Sequence, residues 1–313
     1  MKVFRLSKPE DASSQSFDPS TVAVGYFDGV HIGHQHVIQH AIDIADEKNI
    51  KSAVMTFDPH PKSVIKQEEL HDHLISTLDE KISIFESMGI DYVFVVTFSQ
   101  ELSKLSPEKF VEHYFIDLNV KHIIGGFDFS FGYKGKGKLE NLPEYTDEPI
   151  EFSVIDKVTL GEEKVSSTYI RQAVKNGDMK TANELLGRVF SLRAPVKKGH
   201  QRGRTIGFPT ANLDIDSEML VPKVGVYAVT ATVNDEHLSG MANIGFNPTF
   251  EDIHEKPSVE VYLFDFDADI YGETIEVKFH HYLRDEETFS SVDELVEQMN
   301  EDEKQTKKFF NRL

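Results

Sequence analysis

The sequence predicts an α/β domain, with a parallel sheet covered by helices on both faces, followed by a small antiparallel β-barrel with a C-terminal helix. Three observations carry this expectation. Through about residue 186, short β-branched runs alternate with segments of helical apolar spacing, the pattern of strands joined by helical crossovers. From about residue 187 onward such runs follow one another with turns and no helices between them, as in a small closed barrel. The apolar run Thr21–Val24 also empties into a glycine-rich turn at the mouth of a helix, and parallel α/β sheets hold ligands beyond the carboxyl ends of their strands. The expected division is therefore 1–186 and 187–313.

Taken in order, Thr21–Val24 is the first strand, and Val37, Ile38, Ala41, Ile42 and Ala45 mark the inner face of the next helix. Lys51–Phe57 reads as the second strand, stopped by Pro59 and Pro61. Thr77-Leu78-Asp79-Glu80 is a capping box that opens a helix carrying Ile82, Ile84, Phe85 and Met88 and ending at Gly89. Asp91–Phe98 is almost unbroken apolar sequence, as expected of a strand buried on both faces. Ser106-Pro107 starts another helix, with proline in the first turn where its missing N–H is not needed. Val120–Gly125 and Ile150–Ile155 are expected as the fourth and fifth buried strands, and Ser167–Asn176 and Met179–Leu186 as short helices. In the second half Val224–Val233 is a long strand, with turns at Asn234-Asp235 and Asn247-Pro248. The last helix opens at the capping box Ser291-Val292-Asp293-Glu294 and buries Leu295, Val296 and Met299.

At 313 residues the chain has room for two cores. It has no cysteine, which excludes disulfides and thiolate metal sites and suits a reducing cytoplasm. No apolar run is long enough to span a bilayer, and Met1–Ser7 lacks a signal-peptide core. The formal charge of −20 repels nucleic acid and anionic lipid, so neither is an expected partner. A polyanionic substrate must then meet locally concentrated cations, and Lys134, Lys136 and Lys138, and Lys197, Lys198, Arg202 and Arg204, are the two concentrations. His36 and His40 share a helical spacing that binds metals, but with no third ligand they read as an exposed helix face.

The chemistry is concentrated in short motifs. Gly25-Tyr26-Phe27-Asp28-Gly29-Val30-His31-Ile32-Gly33-His34 places Gly25, Gly29 and Gly33 where an anion must approach the backbone, and His31 and His34 where a helix N-terminus already favours phosphate. This H-x-G-H turn resembles the signature of nucleotidyltransferases, in which a nucleotide α-phosphate is attacked and pyrophosphate leaves. Val165-Ser166-Ser167-Thr168-Tyr169-Ile170-Arg171 sets hydroxyls at a helix start with Arg171 one turn on, a second phosphate cradle. Together with Thr56-Phe57-Asp58-Pro59-His60-Pro61 and Gly125-Gly126-Phe127-Asp128-Phe129-Ser130-Phe131-Gly132, these motifs resemble the adenylyltransferase module of prokaryotic bifunctional riboflavin kinase/FAD synthetases. The resemblance implies a Rossmann-like nucleotidyltransferase domain. It puts Gly25, Phe27, Asp28, Gly29, Gly33, Ser166, Ser167 and Thr168 on the nucleotide, and Asp58, Pro59, His60, Asp128 and Phe129 on the flavin. His31, His34 and Arg171 would stabilise the transferring phosphate. Asp128, flanked by phenylalanines, is expected to meet a polar edge inside an aromatic pocket.

Beyond the expected boundary, Gly199-His200-Gln201-Arg202-Gly203-Arg204-Thr205-Ile206-Gly207-Phe208-Pro209-Thr210-Ala211-Asn212-Leu213 resembles the flavokinase signature. It is followed in family order by Asn243–Phe250, Val259-Glu260-Val261-Tyr262 and Leu283-Arg284. The riboflavin 5′-hydroxyl needs a base, and Glu260 is the carboxylate placed for it. Thr210 and Asn212 offer the hard oxygens that Mg²⁺ takes beside ATP phosphates. Gly199, Gly203 and Gly207, with Arg202, thin and charge a loop for those phosphates, and the resemblance puts Arg284 on the flavin. The expected activity is phosphorylation of riboflavin to FMN by Mg-ATP, then adenylylation of FMN to FAD. A flavin-sensing regulator without turnover is the competing reading, and the intact transfer residues speak against it. Four places depart from the family pattern. Arg193-Ala194-Pro195 stands where a glycine is usual, with Ala194 expected to crowd a phosphate-binding turn and weaken the kinase, Lys198 and Tyr262 each replace a common histidine, and Phe127 replaces a more polar residue, with an expected effect on flavin affinity.

Overall fold

The computed structural model describes residues 1–66, 73–199, 203, 206–234, 236–246 and 257–311. The chain forms two compact units, Met1–Ser167 and Thr168–Leu313. The first is a six-stranded sheet of β1 (Lys2–Leu6), β2 (Ser20–Val24), β3 (Lys51–Asp58), β4 (Tyr92–Thr97), β5 (Val120–Gly126) and β6 (Glu151–Ile155), all parallel, in the order β1-β4-β3-β2-β5-β6. Chain order runs outward from β2 through β3 to β4 and returns at β5 on the other side of β2. The switch point therefore lies between the carboxyl ends of β2 and β5, where Val24 pairs with Gly125. The motif-bearing segments after β2, β3 and β5 all leave the sheet at this edge.

Alternation along the strands divides the core into two layers. Ala23, Val54, Val93, Val95 and Ile124 face α2 (Ile32–Lys48) and α4 (Leu78–Ser87), which bury Val37, Ile38, Ala41 and Phe85 against them. Val22, Val24, Met55, Phe94 and Ile123 face the opposite layer, which includes α5 (Pro107–Val111) and the π-helical turn Glu112–Ile116 that continues it. The short helices α1 (Glu10–Ser13), α3 (Pro61–Lys66) and α6 (Leu142–Tyr145) fill connections. The caps at Thr77 and Ser106 form as the sequence predicts. Two strand expectations need correction. Lys2–Leu6 is an edge strand that the reading omitted, because only Leu6 of its five residues is buried and the apolar signal is weak. The Ile150–Ile155 segment is the opposite edge rather than a buried strand, and Phe152 is exposed.

A hairpin, β7 (Thr159–Leu160) and β8 (Glu163–Lys164), precedes α7 (Ser167–Lys175) and α8 (Met179–Leu186). The second unit is a closed antiparallel barrel in the order β10-β13-β12-β11-β14-β9, formed by β9 (Phe190–Lys197), β10 (Ala211–Leu213), β11 (Gly225–Val233), β12 (Glu236–Gly245), β13 (Ser258–Leu263) and β14 (Thr274–Arg284). The C-terminal helix α9 (Val292–Phe310) is capped by Ser291 and lays Val296 and Met299 on Phe208, Met241 and Phe264. Helix α8 belongs to this unit, because the Asn183 side chain donates to the Phe279 carbonyl (3.1 Å) and accepts from the Phe190 N–H (2.7 Å). Ala194 lies within β9, opposite Ile275, with its side chain buried in the barrel.

Candidate active sites

The first site grows out of the turn after β2. Phe27, Gly29 and Val30 have φ values of 58°, 78° and 38°. For Gly29 this is ordinary, but for bulky Phe27 and β-branched Val30 it is strain that only a well-determined surrounding can hold. The Asp28 carboxylate, 3% exposed, accepts from the backbone N–H groups of Ile75 (3.0 Å) and Ser76 (3.3 Å). The Gly29 N–H donates to the Ser76 hydroxyl (2.9 Å), and the Gln35 amide donates to the Val30 carbonyl (2.8 Å). A Cβ on Gly29 would fall 2.9 Å from Ile75, so the turn fits only glycine there. Asp28 thus holds the turn in shape through one of its carboxylate oxygens.

His31 caps α2. Its Nδ1 accepts from the His34 N–H (3.2 Å), which assigns the proton of the neutral ring to Nε2. The two imidazoles stack with centroids 3.5 Å apart and planes at 17°, while the edge of His34 meets Phe27 at 5.2 Å. The Ser167 hydroxyl donates to the Asp28 carbonyl (3.0 Å). Ser166 is half-buried, Thr168 is exposed in the first turn of α7, and Arg171 is buried one turn on. Gly25 lies where a Cβ would come within 3.0 Å of the Phe27 ring, and one on Gly33 would come within 3.2 Å of His31.

The expected flavin residues divide into two groups. Asp58 and Pro59, joined by a cis bond, are exposed at the end of β3, and His60 packs against Tyr26 at 4.0 Å. Asp128 does not sit in an aromatic pocket. It is exposed and paired with Lys164 (3.2 Å), because Phe131 turns into the core while the chain at Phe127-Asp128 turns outward. Phe127 is exposed as well, under the Lys164 ammonium at 4.3 Å. Phe129 is half-buried and stacks on Phe131 at 5.8 Å, so it mainly continues the core. The sequence reading missed Lys81 altogether. A lysine in an amphipathic helix ordinarily faces water, yet this one is 2% exposed behind the turn.

The second site lies in the barrel. Asn212 on β10 is in register with Glu260 on β13, and the Thr210 hydroxyl donates to a Glu260 carboxylate oxygen (3.3 Å). A Cβ on Gly199 would lie 2.5 Å from the Asn212 amide nitrogen, and one on Gly203 would lie 2.2 Å from the Phe208 carbonyl, so the glycines keep backbone tight against these groups. Gly207 has φ 88° and needs glycine for that reason. Thr210 borders two cavities. One, about 310 Å³, is lined by Phe208, Met241, Glu260, Tyr262, Phe289 and Met299. The other, about 230 Å³, is lined by Val196, Pro209, Val261, Asp269 and Tyr271. Lys198 lies over the Tyr271 ring at 5.7 Å, while Arg202 and Arg204 fall outside the described residues.

Arg284 borders the larger cavity but is held by its own partners. Its guanidinium donates to both carboxylate oxygens of Asp302 on α9 (2.9 and 2.7 Å) and to the Asp285 carbonyl (2.9 Å). The hydrogen bond to Asp302 raises its affinity for the proton still further. Arg284 therefore ties α9 to the barrel before any ligand arrives, and the sequence reading missed Asp302. Among the described residues no cluster of three or more His, Asp or Glu is placed to hold a metal ion. The oxygens of Thr210, Asn212 and Glu260 nevertheless suit an ion that keeps most of its shell from water and phosphate.

Each half of the chain matches a known family. Residues 13–169 match the family model described as FAD synthetase, and residues 186–310 match the one described as riboflavin kinase. The chain is 42% identical to the bifunctional riboflavin kinase/FMN adenylyltransferase of Listeria monocytogenes, with 100% of this chain and 99% of that one aligned. It is also 42% identical to the Bacillus subtilis protein of the same name, over the same shares. A solved structure from Streptococcus pneumoniae, 36% identical, superposes with a TM-score of 0.88 over 97% of this chain and 98% of that one. That structure is described as a macrolide-efflux protein, whereas no helix among the residues described here is long and apolar enough to cross a membrane. Fold, motif order and full-length similarity converge, and the chain belongs to the bifunctional riboflavin kinase/FMN adenylyltransferase family.

Proposed function

We propose that the chain makes FMN from riboflavin and ATP in its barrel, and FAD from FMN and ATP at the H-x-G-H turn. The observation that carries this reading is that one chain holds two sets of polar side chains, His31/His34/Ser167 and Thr210/Asn212/Glu260, each with glycine-thinned backbone beside it. We assign residues 1–186 to the adenylyl step and 187–313 to the kinase step.

In the kinase step Glu260 accepts the proton of the riboflavin 5′-hydroxyl as that oxygen bonds to the γ-phosphorus, and ADP leaves. The larger cavity, with Phe208, Tyr262, Phe289, Met241 and Met299, suits a flat aromatic ring system, and the smaller suits the nucleotide. Thr210, on the wall common to both, places Glu260 at their junction. Mg²⁺ would be held by the oxygens of Thr210 and Asn212 with the ATP phosphates, where it neutralises charge on the transferring group. Gly199, Arg202, Gly203 and Gly207 would line the nucleotide phosphates.

In the adenylyl step the FMN phosphate is already an anion, so no base is required. One of its oxygens bonds to the α-phosphorus of ATP as the bond to pyrophosphate breaks. The task is to stabilise developing charge, and the His31 Nε2–H, His34, the first-turn N–H groups of α2, Ser166, Thr168 and Arg171 would be donors for it, while the Ser167 hydroxyl, donating to the Asp28 carbonyl, would hold the turn beside them. Asp58, Pro59, His60 and Phe129 would border the flavin, and exposed Phe127 offers a ring face where a polar residue is usual. Incubation with riboflavin, ATP and Mg²⁺ followed by chromatography tests the whole reading. FMN followed by FAD supports it, FMN alone removes the adenylyl half, and no product supports a sensor without turnover.

A further inference from the structure

We propose that Lys81 is a positioning residue for adenylyl transfer, a buried cation that fixes the backbone of the H-x-G-H turn from behind. This rests on the adenylyl reading of that turn. Lys81 lies on α4, directly after the Thr77–Glu80 capping box and outside the glycine, histidine and hydroxyl motifs, and is 2% exposed. Its ammonium donates to the Tyr26 carbonyl (3.1 Å) and to the Thr56 hydroxyl (3.3 Å), and lies 4.1 Å from the centre of the Tyr26 ring. The Thr56 hydroxyl in turn donates to the same Tyr26 carbonyl (2.9 Å). One carbonyl thus takes two donors at the point where the chain enters the left-handed Phe27.

A buried ammonium is expensive to desolvate and persists where its partners hold it. The partners here are a main-chain oxygen of the turn, a hydroxyl on β3 and the face of Tyr26, with the carboxylates of Asp28 and Asp58 as the acidic groups acting on it. The ammonium therefore braces two neighbouring strand ends, those of β2 and β3, and adds positive potential beneath a turn built for phosphate. Burial lowers its pKa to about 8, against the opposing pull of Asp28 and Asp58, so the bracing charge is lost within the range of ordinary assays.

The test compares the full-length protein with Lys81→Met and Lys81→Arg, reading kcat/KM for FAD formation from FMN and ATP across pH, with riboflavin phosphorylation as the internal control. For the unsubstituted protein the adenylyl profile should fall as pH rises through about 8, because the protonated form is the bracing one. Lys81→Met should lose roughly ten-fold or more at neutral pH and lack that limb, while its kinase rate stays parent-like. Lys81→Arg should recover part of the rate and shift the limb upward. Parent-like adenylyl transfer by Lys81→Met overturns the inference, as does a flat profile for the unsubstituted protein. The second criterion holds whether or not Lys81→Met folds. An unsubstituted protein that makes FMN but no FAD instead refutes the adenylyl reading of the turn on which the inference depends.

Discussion

At the scale of single residues, the proposed function separates groups assigned to the chemistry from groups that hold them. His31 and His34 stand in the first turn of α2, stacked and fixed by a ring-to-backbone bond. Replacing either with alanine removes a donor to developing charge. We expect FAD formation to fall by about 10²–10³-fold with FMN formation unchanged, read by product chromatography. Glu260→Gln keeps shape and hydrogen bonding to Thr210 but cannot take a proton, so riboflavin phosphorylation should fall by about 10²–10⁴-fold while supplied FMN is still converted to FAD. Lys81 also makes a stability prediction. Its pKa drops from 10.5 unfolded to about 8 folded, chiefly through burial, so the folded state binds fewer protons between those values. Stability of the first unit should therefore rise with pH from about 8 to about 10.5, by on the order of 3 kcal/mol from this group alone. Denaturant unfolding of the parent and Lys81→Met across that window checks it, since the variant should lack this increment.

The residues legible in the sequence were those whose local chemistry is unusual. Glycines, histidines and hydroxyls at the start of a helix stand out because a solvent-facing turn rarely needs them together. Lys81 and Asp302 were not legible, because a charged residue on an amphipathic helix looks the same whether it meets water or a buried partner across the fold. Asp128 failed for the converse reason. Neighbouring phenylalanines suggested a pocket, but Phe131 serves the core and Asp128 points outward to Lys164.

At the scale of elements, capping and alternation decided most of the outcome. Helices α4, α5 and α9 begin at Thr77, Ser106 and Ser291, where side-chain oxygens accept from first-turn N–H groups. Edge strands were the weak point. Lys2–Leu6 buries one residue, and Glu151–Ile155 has two exposed positions followed by three half-buried ones, so neither carries the apolar run of a central strand. The length of α9 hides a specific attachment, the Arg284–Asp302 pair, supported by Gln298 donating to Asp302 (2.9 Å). Asp302→Asn leaves the largely buried guanidinium without its counter-charge. We expect a loss on the order of 3 kcal/mol in unfolding free energy and weaker riboflavin binding, read by denaturant titration and by quenching of flavin fluorescence. Unchanged stability would show that α9 is held by its other contacts, such as Val296 and Met299 and the stacking of Phe309 on His281.

At the scale of the whole molecule, each half has its own core, and we assign each its own phosphate-handling groups. The compact units divide after Ser167, whereas the family models leave α7 and α8 near their junction, at 169 and 186. Packing favours a fragment 168–313 over one beginning at 187, because Asn183, Leu185 and Leu186 of α8 seal β9 and β14. The longer fragment should unfold at higher temperature and phosphorylate riboflavin without forming FAD. The central claim is that one chain carries two independent transfer sites, and a crossed product assay of two full-length variants tests it most directly. Glu260→Gln should convert FMN to FAD but leave riboflavin unphosphorylated, and His31→Ala should convert riboflavin to FMN but stop there. If either folded variant loses both conversions together, the two steps share a site and the account is wrong.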